Sequence, residues 1–458
     1  MTAVDVLVIG GGNAGVCAAL SAHEGGARVL VVERLDAQAR GGNSKYTRNL
    51  RCASDAYPDE EVLSDLISVT GDEIDLDLAR HVIRASREAP AWMETYGVRW
   101  AGAFRGTINL DRTNWFFLGG GKALLNVYYR ALEQRNIPVW YETRATAIAE
   151  DGDGFTVTME RGGTTTTVRA AALVTASGGY ESNYDWLESE WGTAARQFLI
   201  RGTATNDGAI LKMLFDRGAQ KRGNPKGFHS IAIDARSPRY DGGIVTRVDS
   251  IPHGIVVNRH ARRFYDEGEM IWPKRYASWG KLIAEQDGQI AYSIYDAKTR
   301  GNFVPACFPP VQAETIGELA SLLELSPAAL VAAVEEYNAH TVAGTFDMSR
   351  LDGLGTRDLT PPKSNWARSI DKPPFYAYPV RPGITFTYLG VKVDADARVL
   401  GANAAPLAGI FAAGEIMAGN LLTGGYLAGF GMTIGTVMGR IAGREAARYA
   451  TARQPATR

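Results

Sequence analysis

The sequence predicts an α/β fold built on a Rossmann-like dinucleotide-binding domain, and three observations predict it. A β-branched run from Val4 to Ile9 ends in glycines, as a central parallel strand should. Small residues at helical spacing follow (Ala14, Ala18, Ala19 and Ala22), so a helix can lie close on a sheet. Arg28 to Val32 then reads as a second buried strand, closed by the acid Glu33. Strand, helix and strand together make one βαβ unit.

Each part of that unit has a chemical reason. Gly10 allows the tight turn, Gly12 lets backbone approach a pyrophosphate, and Gly15 permits close helix–strand contact. Asn13 and Ala14 complete the loop, and the helix start offers unpaired N–H groups and partial positive charge to phosphates. Glu33 lies eighteen residues after Gly15, placed to accept hydrogen bonds from a ribose; Arg34 beside it joins the candidate cofactor contacts. Arg40-Gly41-Gly42-Asn43-Ser44 forms a second glycine loop with a hydroxyl, which suits a ligand running on past the pyrophosphate. At the far end, Gly409 to Ala413 reads as a buried strand ending in Gly414-Glu415. A free-standing NAD domain does not need that second segment. Two distant segments on one site point to FAD.

Composition bounds the rest. At 458 residues the chain exceeds one compact core, and two domains are expected. A net charge of −1 gives no basic field for nucleic acid. Cys17, Cys52 and Cys307 form no C-x-x-C pair, which argues against a disulfide scaffold or an iron–sulfur cluster in this chain. The histidines have no metal-ligand spacing, so no metal is expected. No secretory signal is visible before the first glycines. Ile416 to Gly439 is uncharged but holds seven glycines, a poor surface for lipid and better read as a cofactor loop entering a buried helix. The expectation is a cytoplasmic protein without a transmembrane segment.

The sequence resembles the fumarate reductase/succinate dehydrogenase flavoprotein superfamily over nearly its whole length, and within it most the tricarballylate dehydrogenases. The resemblance rests on Gly41-Gly42-Asn43-Ser44, Gly119 to Leu124, Ala176-Ser177-Gly178-Gly179-Tyr180 and Asn206-Asp207-Gly208. It continues in Gly254 to Asn258 with Arg263 to Glu267, and in Ala412 to Glu415. Pro361 to Trp366 and Gly424 to Gly431 tilt it toward the tricarballylate group. It implies a glutathione-reductase-type FAD domain from both chain ends, residues 1–230 and 379–458, with an inserted α+β capping domain at 231–378. Within the insert, Ala291 to Asp296 reads as a strand and Thr315 to Tyr337 as polar-capped helices. Further cofactor contacts are expected at Ala145, Ser177, Gly178, Gly179 and Asp207, at Glu415 on the ribityl chain, and at Gly431 and Thr433 near the flavin pyrimidine.

Three departures from the family pattern matter. Between Glu33 and Ser54 there is no histidine to tether the flavin, so FAD is expected to be non-covalent. The histidine that fumarate reductases carry in a His-Thr-Met-Gly-Gly segment is replaced in Thr385 to Gly390. Their carboxylate-clamping arginine is missing from Asn420 to Gly425, which removes the usual bidentate contact. Thr387 and Tyr388 take the missing histidine's place as candidate substrate donors, joined by Arg247, Lys363 and Ser364. For proton transfer the resemblance points to Arg275, with Tyr276 as rival, and to His229 as a substrate contact at the domain junction.

The reading is an FAD-dependent dehydrogenase forming a C=C bond beside a carboxylate or ketone in a small, tricarballylate-like acid. Hydride would pass to flavin N5, and electrons to a separate iron–sulfur or quinone-linked protein. An enoate or fumarate-type reductase, a steroid-like or natural-product ketone desaturase, and a non-catalytic electron-transfer subunit are the alternatives.

Overall fold

The computed structural model describes residues 2–71, 73–102, 112–243, 245–270 and 276–453. Its larger sheet runs, strand by strand, Arg398–Leu400, Pro406–Ala412, Thr164–Thr175, Thr2–Ile9, Val29–Val32 and Val139–Trp140. All neighbours in that order are parallel except the first pair. Val29–Val32 is buried at every position, and Thr2–Ile9 over its last five residues, as befits central strands of a parallel sheet packed under helices Asn13–Glu24 and Phe430–Ala452. The sheet interleaves strands from both chain ends, which brings Ala413-Gly414-Glu415 alongside the first glycine loop.

The helix Asn13–Glu24 follows that loop and packs against the long helix Phe430–Ala452. Glycines set this contact. A Cβ on Gly439 would come 2.5 Å from Ala14 O, and one on Gly443 would come 2.1 Å from Ala18 O. The stretch Gly431 to Gly435, which the sequence places ahead of the last helix, is its first turn, with Gly429 as N-cap at φ +86°. Among the described residues no helix is long and apolar enough to cross a membrane.

A second, mostly antiparallel sheet is ordered Phe228–Asp234, Phe375–Thr387, Ala291–Asp296 and Ile255–Asn258. Phe228 pairs with Thr387 and Asp234 with Val380, so the strands that flank residues 235–374 are partners. Their register shifts between His229 and Ser230, leaving Thr385 unpaired. Such a bulge re-aims side chains, here toward the glycine loops. Helices Ile316–Leu322 and Pro327–Ala339 cover this sheet. Thr315 and Glu318 form a capping box on the first, and Ser326 caps the second. Their Leu319, Leu330 and Val334 pack with Ile255, Ile294 and Ala377 in a separate core.

Candidate active site

A long cleft runs from the first glycine loop to the junction with the second sheet. At one end lie Gly10, Gly12, Asn13 and Ala14. Gly10 sits at φ +110°, and a Cβ there would be 2.4 Å from Ala176 O. A Cβ on Gly15 would be 1.9 Å from Gly10 O, so that residue sets helix–strand approach without lining the cleft. On Gly12 a Cβ would meet nothing nearer than Ser44 Oγ at 3.5 Å, and on Gly42 nothing within 4 Å. These two glycines leave an open cradle.

The acid closing the second strand orders the loops around it. Glu33 Oε2 accepts from Gly11 N at 3.2 Å and Gly41 N at 3.5 Å, and Oε1 from Leu35 N at 3.0 Å. Burial raises its carboxyl above the usual range, and the backbone N–H groups oppose that. Ser44 Oγ accepts from Asn13 N at 3.0 Å, and Asn13 Nδ2 donates to Thr436 Oγ1 at 3.0 Å, joining the loop to the last helix. Arg34 donates to Asp207 Oδ2 at 2.7 Å and Thr205 O at 2.8 Å. Ala145, Asn43, Ser177, Gly178, Gly414 and Glu415 also line the cleft, and so does Gly431. The N-caps Gly12 and Gly429 have no side chain; Ser44 Oγ takes Asn13 N and the Tyr426 hydroxyl takes Gly431 N, and the start of Asn13–Glu24 still turns its partial positive charge toward the cradle. The cleft fits FAD.

The other end is built from charged and aromatic side chains. His229 stacks on Tyr426 with ring centres 3.8 Å apart and planes 6° from parallel, and its ring lies edge-on to Tyr276 at 6.0 Å. Burial pushes its imidazole well below the usual value, with Arg201 and Arg247 adding to the shift, so His229 is neutral near pH 7. Arg247 donates to Asp249 Oδ2 at 3.0 and 2.7 Å, and its guanidinium lies 5.1 Å from the Tyr276 ring centre. Burial works against the Arg247 charge, and Asp249 more than restores it.

Arg201 is held by Gly243 O at 3.0 Å and Thr385 Oγ1 at 2.8 Å. Burial, with Arg247 and Arg48 nearby, pushes its guanidinium down to about 10. Arg48 is lowered by burial and then by Arg247. Three arginines therefore face this end, and among the described residues Asp249 is the acid that acts on Arg247 and Arg48.

Several expected site residues lie elsewhere. Thr387 is turned from the cleft and donates to Glu415 Oε1 through both N, at 2.8 Å, and Oγ1, at 3.1 Å. Tyr388 is fully buried beside it. The bulge instead presents Thr385 and Phe386 to the cleft. Lys363 is buried in the second unit, donating to Pro252 O at 2.9 Å and Gly254 O at 2.6 Å, so it fastens a turn and reaches no ligand. Ser364 is exposed and bonded to Asp266. Thr433 Oγ1 donates to Arg51 O and Gly429 O, inside the protein. Gly41 faces Leu125 and Gly179 lies against Thr387 and Glu415, both off the cleft wall. Arg275 lies outside the described residues.

The sequence reading missed Arg48, Arg201 and Tyr426, all of which line the cleft. A signal existed for each: Arg48 follows the Gly42-Asn43-Ser44 loop, Arg201 precedes Asn206-Asp207, and Tyr426 lies within the glycine-rich tail.

The family described as FAD binding domain matches residues 5–431. A "Fumarate reductase (cytochrome)" of Shewanella frigidimarina is 25% identical, over 97% of this chain and 77% of that protein. A "4-oxocyclohexanecarboxylate 2-dehydrogenase" of Sinomonas cyclohexanicum is 28% identical, over 85% of this chain and 71% of its own length. Among solved structures, the open conformation of a flavocytochrome c3 fumarate reductase superposes with a TM-score of 0.77 at 23% identity, covering 98% of this chain and 79% of the other.

Proposed function

The chain belongs to the FAD binding domain family, and from that premise we propose that it is a dehydrogenase forming a C=C bond beside a carboxylate or ketone in a small organic acid of the tricarballylate type. FAD held in the glycine cradle would supply the two-electron acceptor for the hydride that leaves the substrate. The observation that carries the acid is the arginine cluster. Arg48, Arg201 and Arg247 line this end of the cleft, and among the described residues the carboxylate bonded to one of them is Asp249, on Arg247, which leaves positive charge in excess in a half-dry cleft. Uncompensated buried charge is costly, and a ligand with two or more carboxylates removes the cost. These arginines take over the role of the clamp arginine missing between Asn420 and Gly425.

The carboxylate held this way acidifies the neighbouring C–H, and a base on the cleft wall takes that proton. Tyr276 is the described residue suited to it, because its ring lines the cleft edge-on to His229 with the Arg247 guanidinium 5.1 Å from its centre. Neutral His229, stacked on Tyr426, donates or accepts a hydrogen bond without adding charge. Arg275 remains a sequence-based candidate for the same proton. Running in reverse, the same groups protonate an unsaturated acid as hydride arrives. The relative named for 4-oxocyclohexanecarboxylate, whose name contains both ketone and carboxylate, supports including keto acids among substrates.

Electrons then leave to a separate iron–sulfur or quinone-linked protein. Cys17 and Cys52 are both buried and Cys307 is exposed, an arrangement with no cluster-ligand set among the described residues. The test is anaerobic bleaching of the purified yellow protein, with tricarballylate first and 4-oxocyclohexanecarboxylate second. Flavin absorbance should fall with one of them; no bleaching by any carboxylate or ketone overturns the reading.

A further inference from the structure

Behind the wall of the cleft two carboxyl groups meet. Glu415 is 8% exposed and Glu181 is 0% exposed. Glu181 Oε1 accepts from Asn43 Nδ2 and from Asn206 Nδ2, both at 2.6 Å. Its Oε2 has no N–H or O–H donor among the described residues. What lies within hydrogen-bonding reach is the Glu415 carboxyl, whose Oε1 is already bound to Thr387 N and Oγ1. Two carboxyls hydrogen-bond only when a proton sits on one of them.

We propose that Glu181 is a cofactor-positioning residue, whose contact with Glu415 keeps one proton shared between two carboxyls and so holds this wall of the cleft in its FAD-binding form. The pair gathers segments that are far apart in sequence. Asn43 comes from the second glycine loop and also binds Thr385 O at 2.7 Å and Thr203 N at 2.8 Å. Asn206 comes from the loop before the helix Ala209–Asp216, and Thr387 ends the strand that leaves the inserted unit. Only Glu415 of the two acids lines the cleft, so Glu181 acts through it.

A pair with one proton carries a single negative charge. Losing that proton sets two like charges against each other away from water, and repulsion separates the segments the pair holds.

Burial is the main cause raising both carboxyls, Glu415 well above the usual range with Glu181 as the next cause. The other ionisable groups facing the pair are Tyr180 and Tyr426, both pushed above the usual phenol value by burial, with Arg201 behind Tyr426. The sign follows. The binding form persists below the pair's pKa in the apoprotein, and affinity for FAD falls as pH rises through it. Lys363, pushed down to about 8 by burial, titrates within the pH range of the test but sits in the other unit, and comparison with a variant subtracts it.

The test follows FAD fluorescence on release from the purified flavoprotein, and Kd by titration of apoprotein with FAD, from pH 6 to 9. Wild-type Kd should rise with pH by up to about tenfold per unit over part of that range. Glu181→Gln replaces the shared proton with a permanent amide donor and should change less than about twofold over the same range. Glu181→Asp keeps a carboxyl and should keep the slope. Equal slopes for wild type and Glu181→Gln overturn the proposal. Should Glu181→Gln not fold, a wild-type Kd that stays flat across the range overturns it alone.

Discussion

The two ends of the cleft are built by opposite means. The dinucleotide end uses backbone, with two glycine loops, a helix start and one acid that orders them. Its lining runs from the first glycine loop through Ala145, Ser177 and Asp207, with Glu415 and Gly431 added from the far end. The substrate end uses side chains. Arg48, Arg201, His229, Arg247, Tyr276 and Tyr426 come from six separate segments, and of these His229 lies on a strand of the second sheet. Backbone recognition depends on absent Cβ atoms and tolerates little variation. Side-chain recognition changes one residue at a time, so the second end can take a new substrate while the first stays fixed.

That comparison is sharpened most by Tyr276→Phe, which removes a proton acceptor and leaves the cradle untouched. Turnover with a confirmed substrate should fall by about 10²–10⁴, while the flavin spectrum and FAD content stay at wild-type levels. A parallel Arg275→Gln with an equal loss would assign proton transfer to both or to the arginine.

Arg201→Gln comes next, since it removes a buried charge facing the proposed carboxylate. KM for a polycarboxylate should rise by about 2 kcal/mol or more, roughly thirtyfold, and kcat less. A Kd for FAD that weakens in step would mean the two ends are not separable.

Gly12→Val reverses the pattern. No protein atom lies within 3.4 Å of the new Cβ, so the melting temperature of apoprotein should hold, while FAD binding weakens by about 1–3 kcal/mol from overpacking. Loss of apoprotein stability instead would show that the loop serves the fold before the cofactor.

Ser326→Ala touches neither end. Its hydroxyl caps Pro327–Ala339, so unfolding should shift by about 1 kcal/mol, with FAD content and rate constant unchanged.

The difference between the ends also governs what could be read from sequence. Gly10, Gly12 and Glu33 were legible because local order alone gives them a reason. The capping box at Thr315 and the strand Ala291–Asp296 were legible by the same local logic. Arg48 and Arg201 were not, because each is an isolated cation in a polar loop until the sheet junction brings them together. Lys363 shows the converse error. A lysine after two prolines suggested an anion holder, yet its ammonium is drawn inward by two backbone carbonyls. Thr387 and Tyr388 failed for a reason of register, since the bulge at Thr385 shifts which residues of that strand reach the cleft.

The glycine row on the last helix bears on how the cradle is assembled. Gly439 and Gly443 seat that helix against Ala14 and Ala18, and Thr436 holds Asn13 of the first loop across a separation of 423 residues. A contact so distant in sequence is slow to close. The phosphate loop therefore takes its braced form only once both ends of the fold have met, although the residues that make it are local.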